Sequence, residues 1–224
     1  MAGDLVTEPV VALVVAKAPV PGKAKTRLAA AIGERAAADI AAAALLDTLD
    51  TVAAAPVAAR VVAMTGDLDA ASASAEIRSR LDAFTVVRQR GDDFGQRLAN
   101  AHLDAAAATG NRAVVQIGMD TPQVTAEMLT ECARGLSRTD AVLGLAADGG
   151  WWVLGISDAS MADCLKEVPM SRSDTGALTL AALSGKGFHV ELMAELADVD
   201  TVDDLEPVRR MCAAGSRFAR AVMG

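Results

Sequence analysis

The chain has 224 residues, is 52% hydrophobic and carries a formal net charge of −8, with a sequence pI of about 4.8. That length fits one α/β domain, spanning residues 1–224, with room for a sizeable core, and the apolar content excludes a disordered chain. The acidic balance argues against general nucleic-acid binding, and 3% aromatics with no tyrosine leave no platform for stacking bases.

Short β-branched runs alternate with alanine-rich helical stretches. Val10–Ala16 is a continuous apolar run, as expected of a strand buried on both faces of a parallel sheet. Glu34–Ala54 reads as a long helix with Ile40, Leu46, Leu49 and Val52 on its apolar face. Arg60–Met64 is a strand, Leu68–Leu81 a helix, Thr85–Arg88 a strand, Phe94–Ala108 a helix with Leu98 and Leu103 inward, and Ala113–Ile117 a core strand. Thr125 caps a helix reaching Leu136. Ala141–Leu145 and Trp151–Ile156 are strands around a glycine-rich turn, Phe188–Leu192 is a late strand, and Val202–Ala213 is the closing helix. This alternation predicts a doubly wound, mostly parallel sheet with helices on both faces. Such sheets bind ligands at the carboxyl ends of their strands, so the loops after Ala16, Ile117 and Leu145 are the places to look.

The first of these loops holds Lys17, Lys23, Lys25 and Arg27, with no acid before Glu34, while Pro21 and Gly22 fix its path. A helix starting near Lys25 would add backbone N–H groups, which makes the loop an anion site suited to a di- or triphosphate. The bland alternative is a solvated basic turn. Gly22-Lys23 is not a P-loop, because no glycine lies five residues earlier and Ala24 replaces Ser or Thr. The fourth strand delivers Asp120 to its carboxyl end, a candidate ligand for Mg²⁺ or Mn²⁺, which take a few carboxylates plus phosphate oxygens. Near the last strand, Asp198 and Asp200 fall on one side of an extended segment, and either could approach a metal held by Asp120. Thr201 with Asp204 resembles a capping box, a role compatible with either.

The turn Asp148-Gly149-Gly150-Trp151-Trp152 sets a flexible segment beside a flat wall, suited to a sugar or acceptor with Asp148 as hydroxyl ligand. The competing role is a hairpin whose tryptophans fill the core, more so for Trp152 than Trp151. Gly91 and Arg97 flank another loop-to-helix junction, where Arg97 either reaches an anion or pairs with an acid. Ser171-Arg172-Ser173-Asp174-Thr175 reads as a lid or a helix cap. His102, within a helix, and His189, in a late strand, do not suggest catalysis. Cys132, Cys164 and Cys212 read as buried thiols of a reducing cytoplasm. Asp4 and Glu8 stand where a signal peptide would carry positive charge, and no apolar run spans a bilayer, so a cytoplasmic protein is expected.

Five motifs occur in order: Lys17-Ala18-Pro19 through Leu28, Gly91 to Leu98, Gly118 to Pro122, Asp148-Gly149-Gly150 to Gly155, and Asp198 to Leu205. Together they resemble the bacterial GT-A superfamily transferases, including the radical-SAM/selenodomain-associated transferases (type 1), from about Val10 to Leu205. Lys-Thr-Arg-Leu and Asp-Val-Asp-Thr are also similar to segments of the phospholactate and phosphoenolpyruvate guanylyltransferases. The molybdenum-cofactor nucleotidyltransferases are a more distant likeness. The resemblance implies a Rossmann-like GT-A fold, with Lys25 and Arg27 on donor phosphates and metal positions at Asp120 and Asp200. Departures are Met119 where that family more often has serine, Trp151 and Trp152 where it has tyrosines, and no Asp-x-Asp around Asp120. The implied activity is metal-dependent sugar transfer from a nucleotide-diphospho-sugar to a small acceptor, with Asp120, Lys25 and Asp148 as the catalytic set. The alternatives are nucleotidyl transfer from a nucleoside triphosphate to a phosphorylated metabolite, or a nucleotide-binding module without turnover. The base, sugar, acceptor and oligomeric state stay open.

Overall fold

A computed structural model describes residues 7–223; Asp4 lies outside them. Seven strands form one sheet: β1 (Glu8–Lys17), β2 (Val57–Thr65), β3 (Thr85–Arg88), β4 (Val114–Gly118), β5 (Ala141–Ala146), β6 (Trp151–Ile156) and β7 (Val190–Leu196). Their order is β3-β2-β1-β4-β6-β5-β7, parallel except for β6, which runs antiparallel to β4 and β5. β1 is buried from Val10 through Ala16, because side chains on both of its faces meet helices.

The helices are α1 (Thr26–Ile32), α2 (Glu34–Ala54), α3 (Ser74–Leu81), α4 (Phe94–Thr109), α5 (Ala126–Gly135), α6 (Thr175–Gly185), α7 (Val202–Met211) and α8 (Arg217–Met223), with a 3-10 segment at Ala159–Glu167. Alternate residues of β1 divide the core into two layers. Val10, Ala12 and Val14 pack with α2, α3 and α5, whereas Val11, Leu13 and Val15 pack with α4, α6 and the 3-10 segment. A third cluster joins Leu28 of α1, Ile40 of α2, Leu205 and Val208 of α7, and Phe218 of α8. The expected mostly parallel α/β sheet with helices on both faces is therefore present.

Several boundaries differ from expectation. The helix expected from Leu68 begins at Ser74, because Gly66 at φ 87° and the Asp69 N–H on the Asp67 carboxylate make a turn first. β2 starts earlier, at Val57, and the late strand is Val190–Leu196, which leaves His189 exposed ahead of it. The closing helix stops at Met211, and α8 follows it. Cys132 and Cys164 are buried, but Cys212 is half-buried.

β1 is flanked by β2 on one side and β4 on the other, and the chain winds outward in both directions from there. This switch point places the carboxyl ends of β1 and β4 side by side, with the β5–β6 turn on the same edge.

Candidate active-site cleft

A cleft of about 960 Å³ opens at this edge. The loop after β1 supplies one wall. Lys25 takes a left-handed backbone, φ 49° and ψ 51°, just before α1, and this turns its side chain inward, where it is 10% exposed. Its ammonium lies 2.8 Å from Asp120 Oδ2 and also donates to the Val199 carbonyl. Arg27 pairs with Asp200 but remains largely exposed. Lys17 Nζ donates to the Lys23 carbonyl at 2.7 Å, and the Lys17 N–H lies 3.2 Å from Met119 Sδ.

The floor comes from β4 and the segment ahead of α7. The Val199 N–H donates to the Asp120 carbonyl at 3.0 Å, and Gln123 Nε2 donates to the Ala197 carbonyl, so the two segments are tied to one another. Asp204 accepts from the Asp200 N–H, the Thr201 N–H and the Thr201 hydroxyl, which fixes the start of α7; the expected capping box is present. Burial resists the ionisation of Asp204, but those bonds hold its carboxyl below the usual range.

Three acids approach one another here. Asp198 is pushed up to about 6, first by burial and then by the charges of Asp148 and Asp120, against the opposing effect of Lys25. Asp120 Oδ1 is buried with no hydrogen-bond partner among the described residues. Such an oxygen beside a second carboxylate could serve as a cation ligand. No three His, Cys, Asp or Glu side chains among the described residues converge as a metal cage. The arrangement thus fits an ion held by one or two carboxylates and completed by phosphate oxygens.

The β5–β6 turn forms the far wall. The Gly150 N–H donates to Asp148 Oδ1 at 2.7 Å. Gly149 has φ 89°, and a Cβ there would lie 1.9 Å from the Ser173 carbonyl oxygen; its own carbonyl accepts from the Gly176 N–H at 2.8 Å. The turn is consequently locked to the Ser171–Thr175 segment. Both tryptophans border the cleft, Trp152 as a buried core residue with Nε1 on the Ala194 carbonyl and Trp151 half-buried. Arg172 also lines it and pairs with Asp174 through two bonds of 2.9 Å.

Of the residues expected at the site, Lys17, Lys23, Lys25, Arg27, Asp120, Asp148, Gly150, Trp151 and Asp200 line this one cleft. Pro21, Gly22, Gly91, Gly149 and Arg97 do not line it; Arg97 Nε donates to the Gly91 carbonyl at 3.1 Å and shapes the turn before α4. Sequence reasoning passed over Gln89, whose amide bonds the Ala16 and Ala63 carbonyls at 2.8 Å each and joins the ends of β1 and β2. It also passed over Gln116, since a glutamine within an apolar strand carries no motif.

The profile of a family described as uncharacterized proteins conserved in bacteria (DUF2064) matches residues 48–172, more than half of the chain. No curated protein matches it. Among solved structures, the chain is similar to a candidate nucleotide-diphospho-sugar transferase from Desulfovibrio desulfuricans G20, at 26% identity, with 95% of this chain and 93% of that chain covered and a TM-score of 0.81. A cytidylyltransferase from Leptospira borgpetersenii serovar Hardjo-bovis is similar at 15% identity, with 96% and 92% covered and a TM-score of 0.58. Rv0371c of Mycobacterium tuberculosis H37Rv, solved with manganese, is similar at 20% identity, with 89% and 97% covered and a TM-score of 0.53. The last two share the fold.

Proposed function

We infer that this chain, which belongs to the DUF2064 family, is a nucleotide-using transferase that passes a sugar from a nucleotide-diphospho-sugar to a small acceptor. One observation carries the reading. Asp120 stands at the sheet's switch point with one oxygen on Lys25 and the other buried without a partner among the described residues. The carboxylate is thereby held between a basic loop and two further acids. The likeness to the Desulfovibrio protein supports sugar transfer over the alternatives.

In this reading the chain, residues 1–224, acts as one domain, and Lys17, Lys23 and Arg27 hold the donor's phosphates. Asp120 and Asp198 would hold Mg²⁺ or Mn²⁺; Asp200 is engaged by Arg27. The cation, when bound, supplies charge neutralisation of the leaving diphosphate. Lys25 keeps the Asp120 carboxylate in place and adds positive charge beside the same phosphates. Trp151 offers a flat surface to the sugar or acceptor. Asp148, with one oxygen held by the Gly150 N–H, accepts the proton of the attacking hydroxyl. The new bond forms from the acceptor's hydroxyl oxygen to the sugar carbon as the carbon–oxygen bond to the diphosphate breaks, and the nucleoside diphosphate leaves.

Pairing inside the basic loop also weighs against a triphosphate donor. Lys25 and Arg27 are partly offset by Asp120 and Asp200 even as they face the phosphates, and only Lys17 and Lys23 are loop cations without an acid partner among the described residues. A thermal-shift screen with Mg²⁺ or Mn²⁺ tests the reading, because a ligand that binds the native state raises the melting temperature. A shift confined to nucleotide-diphospho-sugars and their diphosphates is expected. A shift confined to nucleoside triphosphates would replace sugar transfer by nucleotidyl transfer, and binding without turnover would support the non-catalytic module.

A further inference from the structure

Gln116 interrupts an apolar layer. Its register neighbours are Leu13 of β1 and Leu154 of β6, both fully buried on the α4 side of the sheet. Behind it, His102 of α4 is also fully buried, and burial pushes its imidazole down to about 3, with Gln116 opposing part of that shift. The ring is neutral throughout the physiological range. The ring and the Gln116 amide face each other, but neither ring nitrogen, nor Gln116 Oε1, has a well-formed partner among the described residues. Unmet buried polar groups are scarce in native proteins and destabilising, and an apolar pair would fill this layer without that cost.

Those three atoms are closed to solvent, so the cleft meets the other end of the amide, Gln116 Nε2. Gln116 is 2% exposed and lines the cleft on its α4 side, together with Val15, Phe94, Leu98 and Trp151. Those neighbours are apolar or aromatic. Arg172, a cation of the same cleft, is held by Asp174. The amide nitrogen is a neutral donor that a hydroxyl oxygen accepts, and the flat apolar surroundings suit the C–H face of a sugar ring. A carboxylate or phosphate would meet no unpaired cation among these residues.

We propose that Gln116 is a specificity-determining residue whose amide hydrogen-bonds a hydroxyl of the transferred sugar, with His102 as the positioning residue behind it. The proposal rests on the sugar-transfer reading above. It assigns a reason to keep two polar side chains where the fold alone would favour leucine.

The test uses histidine ring NMR and calorimetry on the full chain. The chain has two histidines, and His189 is 88% exposed on its side chain, so the buried ring gives a distinct signal. With Mg²⁺ and again with Mn²⁺, UDP-glucose, GDP-mannose and ADP-glucose are compared with UDP, GDP and ADP. The His102 ring signals are expected to move with the nucleotide-sugar that binds and to stay in place with its diphosphate. Gln116→Met keeps the side-chain length and should weaken that nucleotide-sugar about three- to tenfold, the scale of one neutral hydrogen bond, while the affinity for the diphosphate stays within about twofold on the same scale. His102→Leu should reproduce part of the loss and raise or maintain Tm. Unmoved ring signals in the unsubstituted protein, together with unchanged nucleotide-sugar affinity in Gln116→Met, would overturn the inference and leave sugar transfer standing. If none of these ligands binds with either metal, the sugar-transfer reading falls and takes this inference with it.

Discussion

The Lys25 ammonium lies 2.8 Å from Asp120 Oδ2 and joins the loop after β1 to the end of β4, two segments far apart in sequence and adjacent at the sheet's switch point. Lys25 is also the non-glycine residue of the loop with a left-handed backbone, so the chain holds an unfavourable conformation where it aims a cation into the cleft.

Lys25 and Arg27 should therefore respond differently to removal. Lys25→Met strips a part-buried contact from Asp120, and stability is expected to fall by about 1–2 kcal/mol in urea unfolding, the scale of a lost hydrogen bond to a charged group. Arg27 is exposed, and Arg27→Ala should change stability by less than about 1 kcal/mol. In the proposed reading it should nevertheless lower nucleoside-diphosphate affinity by about 1.5–3 kcal/mol, the scale of a hydrogen bond to a charged group. Equal stability losses for the two variants would mean that the Lys25 contact is no stronger than a surface pair.

Asp198 predicts a pH dependence in two directions. Its carboxyl is raised from 3.8 to about 6, by burial first and then by Asp148 and Asp120. The folded state thus binds the proton more tightly than the unfolded chain does. The stabilisation is complete below 3.8 and is lost as pH rises through about 6. In the metal-free protein, stability measured from pH 4 to 7 should carry this falling contribution, and Asp198→Asn should remove it. Mg²⁺ affinity should run the other way, rising as the carboxyl ionises near 6. Asp148→Asn removes a like charge and should move both transitions to lower pH. A profile indifferent to Asp148→Asn would separate the two acids.

Much of this architecture is legible in the sequence, because buried parallel strands leave continuous apolar runs such as Val10–Ala16 and helices leave a 3.6-residue period such as that of Glu34–Ala54. The site is legible to the extent that its charges sit at strand ends, as Lys17, Asp120 and Asp148 do. Pairing is not. That β6 lies between β4 and β5 is decided by long-range hydrogen bonds with no local trace. α6 reads TGALTLAALSG, apolar around most of its circumference, and α8 has seven residues, so neither shows a clear period. Arg97 looks like an anion ligand until its guanidinium is seen bonding the Gly91 carbonyl. Gln116 has no signal at all, since burial of a polar side chain within a strand becomes visible only when the layers on either side are assembled.

Two glycines with positive φ separate backbone strain from steric lock. Gly110 has φ 73° with nothing within 4 Å of where a Cβ would stand, so Gly110→Ala should cost only the left-handed penalty of roughly 1–2 kcal/mol. Gly149 has φ 89° and would press a Cβ to 1.9 Å from the Ser173 carbonyl. Gly149→Ala should cost clearly more, about 3 kcal/mol or above once overpacking is added to the same penalty. It should also raise hydrogen exchange at the Gly176 amide, whose bond to the Gly149 carbonyl it strains. Similar melting temperatures for the two variants would show that the turn and the Ser171–Thr175 segment move apart freely.

The C-terminal helix is held by one buried acid. Asp47 of α2 is 9% exposed, and its carboxylate accepts the Arg217 N–H at 3.0 Å and the Phe218 N–H at 2.8 Å, the first amides of α8. Arg217 in turn reaches Asp50 at 2.6 Å and Glu76 at 3.0 Å, and Phe218 is fully buried against α1, α2 and α7. Asp47→Ala leaves two amides and part of a guanidinium unmatched, and a loss of about 2–4 kcal/mol is expected. Asp50→Ala leaves Arg217 its bonds to Asp47 and Glu76, so its cost should be about 1 kcal/mol, nearer that of a partly exposed ion pair. Because α8 covers the cluster that also anchors α1, Asp47→Ala should make the C-terminal helix sensitive to protease before global unfolding and lower nucleotide affinity through the Lys25 loop. Cleavage and affinity unchanged in that variant would show that α8 packs independently of the cleft.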